Sequence, residues 1–101
     1  MTALRVIFPA TVSRYDGPAA WYFVSLSTEA AAEVAGPVAD RSTGFGSVRV
    51  EARIGATTLL TSLFPETKTR TYLLPVKKAV RTAEALSEGS SVSVHLVLRP
   101  L

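Results

Sequence analysis

Cysteine is absent from this 101-residue chain. That excludes disulfides, thiolate nucleophiles and cysteine-held zinc. Histidine occurs once, as His95, so a multi-histidine metal site is excluded too, and no cofactor is expected. No apolar run approaches the roughly 18 residues that a bilayer span requires. Met1 to Ala10 has Arg5 but no long apolar segment behind it, so no signal peptide is expected. With these signals missing, the expected compartment is the cytoplasm, with no membrane partner. Glycine is sparse, with six in the chain, and none forms a phosphate loop or a GxGxxG turn. Gly44 and Gly46 imply only a flexible approach to a strand.

Hydrophobic residues make up 48% of the chain, enough for one core and one domain over residues 1–101. The net charge of +3 is unevenly placed. Residues 1–50 hold four arginines (5, 14, 41 and 49) against four acids, and these cancel. Residues 51–101 hold seven Lys and Arg against four Glu. All the excess therefore falls in the second half, which permits a basic patch. Dedicated nucleic-acid binders are often more basic, so nucleic acid is the less favoured partner.

Alternation dominates the pattern. Leu4, Val6, Phe8, Ala10 and Val12 share one side of an opening strand that runs to Tyr15, with Ile7 out of pattern and Pro9 suiting an edge or a bulge. Asp16-Gly17-Pro18 signals a turn, and Ala20 to Leu26 a second strand. Ser27 or Thr28 caps a short expected helix, Glu29 to Ala35, stopped by Gly36-Pro37. Val38 to Gly46 reads as an irregular loop. Ser47 to Ile54 alternates cleanly; Gly55-Ala56 is a two-residue turn, Thr57 to Phe64 the partner strand, Pro65 to Thr67 a turn, and Arg70 to Leu74 a further strand. Pro75 suits a first helical position. Val76, Ala79, Val80, Ala83 and Leu86 then form one apolar helical stripe, closed by Gly89. In the last strand Val92, Val94, Leu96 and Leu98 face inward. The expected fold is mainly β, a small six-stranded barrel with two short helices in the order β-β-α-β-β-β-α-β.

In this order and spacing, the segments FPATV (Phe8 to Val12), WYFVSL (Trp21 to Leu26), GSVRVEARIG (Gly46 to Gly55), TSLFP (Thr61 to Pro65) and YLLPVKKAVRTAEALSEGSSVSV (Tyr72 to Val94) resemble a bacterial and archaeal family, domain of unknown function nineteen-oh-five. The resemblance covers nearly the full chain. It implies a double-split β-barrel, a fold shared with swapped-hairpin transition-state regulators, and an occasional association with bacteriocin-protection domains. It implies no settled activity. Two positions depart from the family pattern: Gly55-Ala56 replaces the usual Gly-Gly, and Thr58-Leu59 stands where an aromatic residue is common.

The candidate site residues are basic. Lys77 and Lys78 are expected in the first turn of the second helix, where cations oppose the helix dipole at roughly 0.3–1 kcal/mol each. With Arg81 one turn on, they suit a phosphate or carboxylate. The plainer reading leaves both lysines solvated and pairs Arg81 with Glu84. Arg49 and Arg53 share an outward strand face with Glu51 between them, which is either a groove wall or ordinary solvated surface. Arg41 lies in the irregular loop, placed to close over a ligand or simply solvated. Trp21 and Phe23 point together and are expected in the core, with Trp21 as a possible ligand platform. Tyr15 and Tyr72 offer hydroxyls without any sign of convergence.

Catalytic patterns are thin. A triad of Ser62, His95 and Asp40 has no nucleophile-elbow motif behind it. Glu29 and Glu33 share a helix face as ordinary surface. The expected function is a binding module, leaning away from an enzyme, for a small anionic ligand or an acidic protein segment near the second helix. A regulatory or nucleic-acid role is the alternative by fold analogy. Either a monomer or a homodimer fits.

Overall fold

The opening alternation produces two strands. β1 (Leu4–Thr11) and β2 (Ser13–Tyr15) are separated only by Val12. They are followed by β3 (Trp21–Ser25), α1 (Thr28–Val38), β4 (Val48–Ile54), β5 (Thr57–Glu66), β6 (Thr71–Pro75), α2 (Lys78–Ala83) and β7 (Ser91–Leu98). The computed structural model describes residues 4–16, 21–38, 48–66 and 68–98, without the side chains of 35–38. The expected Asp16-Gly17-Pro18 turn beyond Asp16, and the expected Val38–Gly46 loop beyond Val38 with Arg41 in it, lie outside the described residues.

All strands belong to one antiparallel sheet in the order β1-β7-β4-β5-β6-β3-β2. β1 pairs with β7, Leu4 opposite Leu98 through Thr11 opposite Ser91. β2 pairs with β3 at the far end of the order, Ser13 opposite Phe23 and Tyr15 opposite Trp21. The sheet's two ends are therefore consecutive pieces of one chain run, and the sheet curls back on itself. The seam at Val12 is stitched by two backbone bonds: its N–H donates to Ser90 O at 2.9 Å, and the Gly89 N–H donates to Val12 O at 2.8 Å. β5 divides in the same way. Residues 57–63 pair with β4, and residues 64–66 pair with β6. Two strands shared between two half-sheets make a mainly β, double-split barrel. Among the described residues it has seven strands instead of six, because the opening run changes partner at Val12.

The inward positions follow the alternation. Val6, Phe8 and Val12, then Val48, Val50, Ala52 and Ile54, then Val94, Leu96 and Leu98 are buried. Val24, Leu26, Leu63, Leu74, Val76 and Val80 complete this core, with Ala30, Ala31 and Val34 of α1. The Ser27 hydroxyl caps α1, accepting from the Ala30 N–H at 3.1 Å. Thr61 is the one buried polar side chain among the described residues, 6% exposed, and no hydrogen bond engages its hydroxyl there.

Several local expectations fail for reasons of non-local pairing. Pro65 does not turn the chain; it extends β5 opposite Tyr72, past the end of the β4 pairing, where its missing N–H has no second neighbour to serve. The turn falls later, with Arg70 in the left-handed region at φ 55°. Pro75 closes β6 opposite Phe23 instead of starting a helix. The Val76 N–H then donates to Tyr22 O at 2.9 Å, prolonging the ladder and holding the backbone extended. α2 consequently starts at Lys78, with Lys77 as an extended N-cap. It ends before Ala85, which has φ 54°. Only Val76 and Val80 of the expected stripe are buried, and Ala79 and Ala83 are exposed, because this short helix touches the barrel through a single turn. Gly36 and Pro37 do not stop α1, which continues to Val38; a proline in a last turn forfeits one backbone bond. Among the described residues no helix is long and apolar enough to cross a membrane.

Candidate functional site

At the α2 corner Lys77 and Lys78 are exposed, and the N-cap has no side-chain hydrogen bond. Arg81 is half-buried. Its guanidinium carbon lies 3.8 Å from the centroid of the Tyr22 ring. Its Nε donates to Val76 O at 3.3 Å. Stacking and this bond fix the plane of the guanidinium and leave its terminal nitrogens for another acceptor.

Glu84 does not serve Arg81. Its carboxylate reaches the β4–β5 turn, accepting from the Thr57 hydroxyl at 2.6 Å and the Ala56 N–H at 3.0 Å. These two bonds, with the nearby charge of Arg53, hold the Glu84 carboxyl below its ordinary value against a smaller upward push from burial. Arg53 braces the same turn, its Nε donating to Gly55 O at 3.1 Å.

Arg49 and Arg53 point outward from β4, on the side of the sheet away from Val50 and Ala52. Arg81 stacks on Tyr22, which packs against the core side. The Arg49–Arg53 row thus lies on the outward side of the sheet, and the Tyr22 ring that Arg81 stacks on lies on the inward side. The outward face is also less polar than strict alternation suggests. Ile7 is 65% and Leu60 68% exposed, and Phe64 is exposed as well.

Trp21 and Phe23 are not core residues. Val24 and Leu26 take the inward positions of that run, which puts Trp21 and Phe23 outside. There they form an aromatic ladder: ring centroids are 4.8 Å apart for Trp21–Phe23 and 6.3 Å for Tyr15–Trp21, with planes tilted by 39° and 41°. The inward parity of Val24 and Leu26 was the available signal. Beside the ladder, where β1 gives way to β2, lies a groove of about 440 Å³ lined by Pro9, Ala10, Thr11, Ser13, Ser25, Ser27 and Ser91. Tyr72 lines a second groove of about 470 Å³ between α1 and the β5–β6 turn, so it does not converge with Tyr15.

The triad drawn from sequence does not assemble. His95 is half-buried opposite Arg53, and Ser62 stands opposite Arg49, four residues along β4. Asp40 lies outside the described residues. Among the described residues no group of three or more His, Asp or Glu is placed to hold a metal ion.

Curled double-split topology, a short rim helix carrying a stacked arginine and an outer face that exposes Ile7, Leu60 and Phe64 define a small β-barrel domain. The family model for "Domain of unknown function (DUF1905)" matches residues 8–96, and the chain belongs to that family. No curated protein matches the chain.

Proposed function

We propose that this domain is a non-enzymatic binding module for an anionic group, a small ligand or an acidic protein segment, held at the Lys77–Lys78–Arg81 corner. The observation that carries the reading is Arg81, with its guanidinium over the Tyr22 ring and its Nε tied to Val76 O. A guanidinium fixed in this way loses little freedom when its terminal nitrogens take a carboxylate or phosphate. Lys77 and Lys78 add exposed charge beside it. α2 has six residues, so the reading rests on side chains and not on a helix dipole. Arg49 and Arg53 fall outside the corner, although Arg5, Arg49 and Arg53 are exposed on the outward face and favour the nucleic-acid alternative. Glu51 stands between two of them on the same face of β4.

The test is an amide chemical-shift titration with citrate, with a short poly-glutamate peptide and with a DNA duplex. Saturable shifts at residues 77–81 with citrate or the peptide, lost in Arg81→Gln, support the corner. Shifts centred on Arg49 and Arg53 with DNA, collapsing as salt rises, transfer the function to nucleic acid. No saturable shift with any of the three refutes both.

A further inference from the structure

We propose that the groove at the Val12 break and the aromatic ladder beside it form one binding site for a neutral sugar, taken as a short oligosaccharide. Continuity comes from register. Ser13 pairs with Phe23, and Ser25 stands two residues further along the same outward side of β3. The hydroxyl wall of the groove and the Phe23–Trp21–Tyr15 ladder therefore share one face.

The chemistry of the lining selects the ligand. Five hydroxyl side chains, Thr11, Ser13, Ser25, Ser27 and Ser91, border the groove, and among the described residues no charged side chain does. A hydroxyl both donates and accepts, which matches the hydroxyls of a sugar. Ser27 already accepts from the Ala30 N–H, so its own O–H remains to donate. The hydroxyls of Thr11, Ser13, Ser25 and Ser91 carry no side-chain hydrogen bond among the described residues. The volume of about 440 Å³ falls in the range of roughly 300–1,000 Å³ usual for small-molecule sites. Next to the groove the ladder offers electron-rich ring faces, against which the slightly positive C–H face of a pyranose packs. Its tilted rings make a stepped surface, suited to successive saturated rings more than to parallel stacked bases.

Charge separates this site from a nucleic-acid platform. Single-strand binders combine aromatic rings with cations that follow the backbone. Arg14, the cation nearest in sequence, is ion-paired with Asp16 at 2.5 Å, and its strand position faces away from Ser13 and Tyr15. The sugar site is also independent of the Arg81 corner, because Tyr22 and the Trp21/Phe23 pair occupy opposite faces of β3.

Trp21 is the only tryptophan, so its emission reports on the site directly. The full chain is titrated with maltotriose, cellotriose and tri-N-acetylchitotriose up to about 10 mM, a range suited to the weak affinity of a shallow site. The expected result is a saturable blue shift with one of them. Ser13→Ala/Ser25→Ala, checked for native circular dichroism, should weaken it about tenfold or more. Lys77→Ala/Arg81→Gln should leave it unchanged. The proposal is overturned if none of the three sugars gives a saturable change in emission or in amide shifts. It is equally overturned if the serine double variant binds as well as the parent, or if oligo(dT) or citrate reproduces the best sugar's response at Trp21.

Discussion

Replacing Gly55 by alanine tests how the rim helix is tied to the barrel. Gly55 takes the first position of the β4–β5 turn with φ 62°, the left-handed region. An L-residue there costs about 1–2 kcal/mol. A second cost is specific to this structure, because a Cβ at Gly55 would collide with the Glu84 carboxylate. That carboxylate is the far end of a flexible side chain and can withdraw, but only by giving up its bonds from the Ala56 N–H and the Thr57 hydroxyl. Gly55→Ala should therefore carry the backbone strain plus the loss of the Glu84 tie. Glu84→Ala carries the loss of the tie alone. The double variant should be no less stable than Gly55→Ala by itself. Backbone strain alone lowers the melting temperature by roughly 4–16 °C in a domain of this size, and the excess over that in Gly55→Ala measures the tie. Urea unfolding of the four proteins gives the cycle. If the two substitutions add to within about 0.5 kcal/mol, as independent sites do, Glu84 does not sit over the turn and the reasoning fails.

Thr61→Val should stabilise the domain by about 1 kcal/mol, because it removes a buried hydroxyl without a partner at nearly constant shape; a lower urea midpoint would refute this. Leu63→Ala, at a fully buried position, should cost about 2–5 kcal/mol in the same assay. Acid sensitivity follows from Glu84. A carboxyl held low in the folded state contributes stability that is complete above its unfolded value and is lost as pH falls through the folded one. The urea midpoint of the parent should thus drop on going from about pH 7 to about pH 3, and Glu84→Gln should show a shallower drop. Arg81→Gln should lower stability by roughly 0.5–1 kcal/mol through the lost Tyr22 stack, and Arg81→Ala should do no better.

Strands whose two faces differ sharply were legible in the sequence. Val48, Val50, Ala52 and Ile54 alternate with charged residues, and their burial follows directly. The division at Val12 was not legible, because Val6, Phe8 and Val12 keep one inward parity throughout while the hydrogen-bonding partner changes from β7 to β3. Alternation encodes a face and says nothing about which strand lies alongside. The start of α2 failed for a related reason: the bond from the Val76 N–H to Tyr22 O, a residue distant in sequence, overrode the helical preference after Pro75. At the candidate site, the exposure of Lys77 and Lys78 was readable from their place between the apolar positions Val76 and Val80. The Tyr22 partner of Arg81 and the turn partners of Glu84 were not, because local spacing favoured an Arg81–Glu84 pair. Trp21 and Phe23 misled through size, since two large rings suggest a core that the smaller Val24 and Leu26 occupy.

The stitching of Val12 to Gly89 and Ser90 also bears on how the chain is made. Within this domain β1 leaves the ribosome before the other strands, yet its partner β7 is the last of them to emerge. Until then β1 presents an unpaired edge that carries the apolar side chain of Ile7. Contacts between segments so far apart in sequence delay closure, and an open strand edge in a nascent chain is an aggregation hazard. The domain cannot close piecemeal during synthesis: the barrel seals only after its final strand arrives, and until that moment protection of the first strand falls to whatever meets the nascent chain.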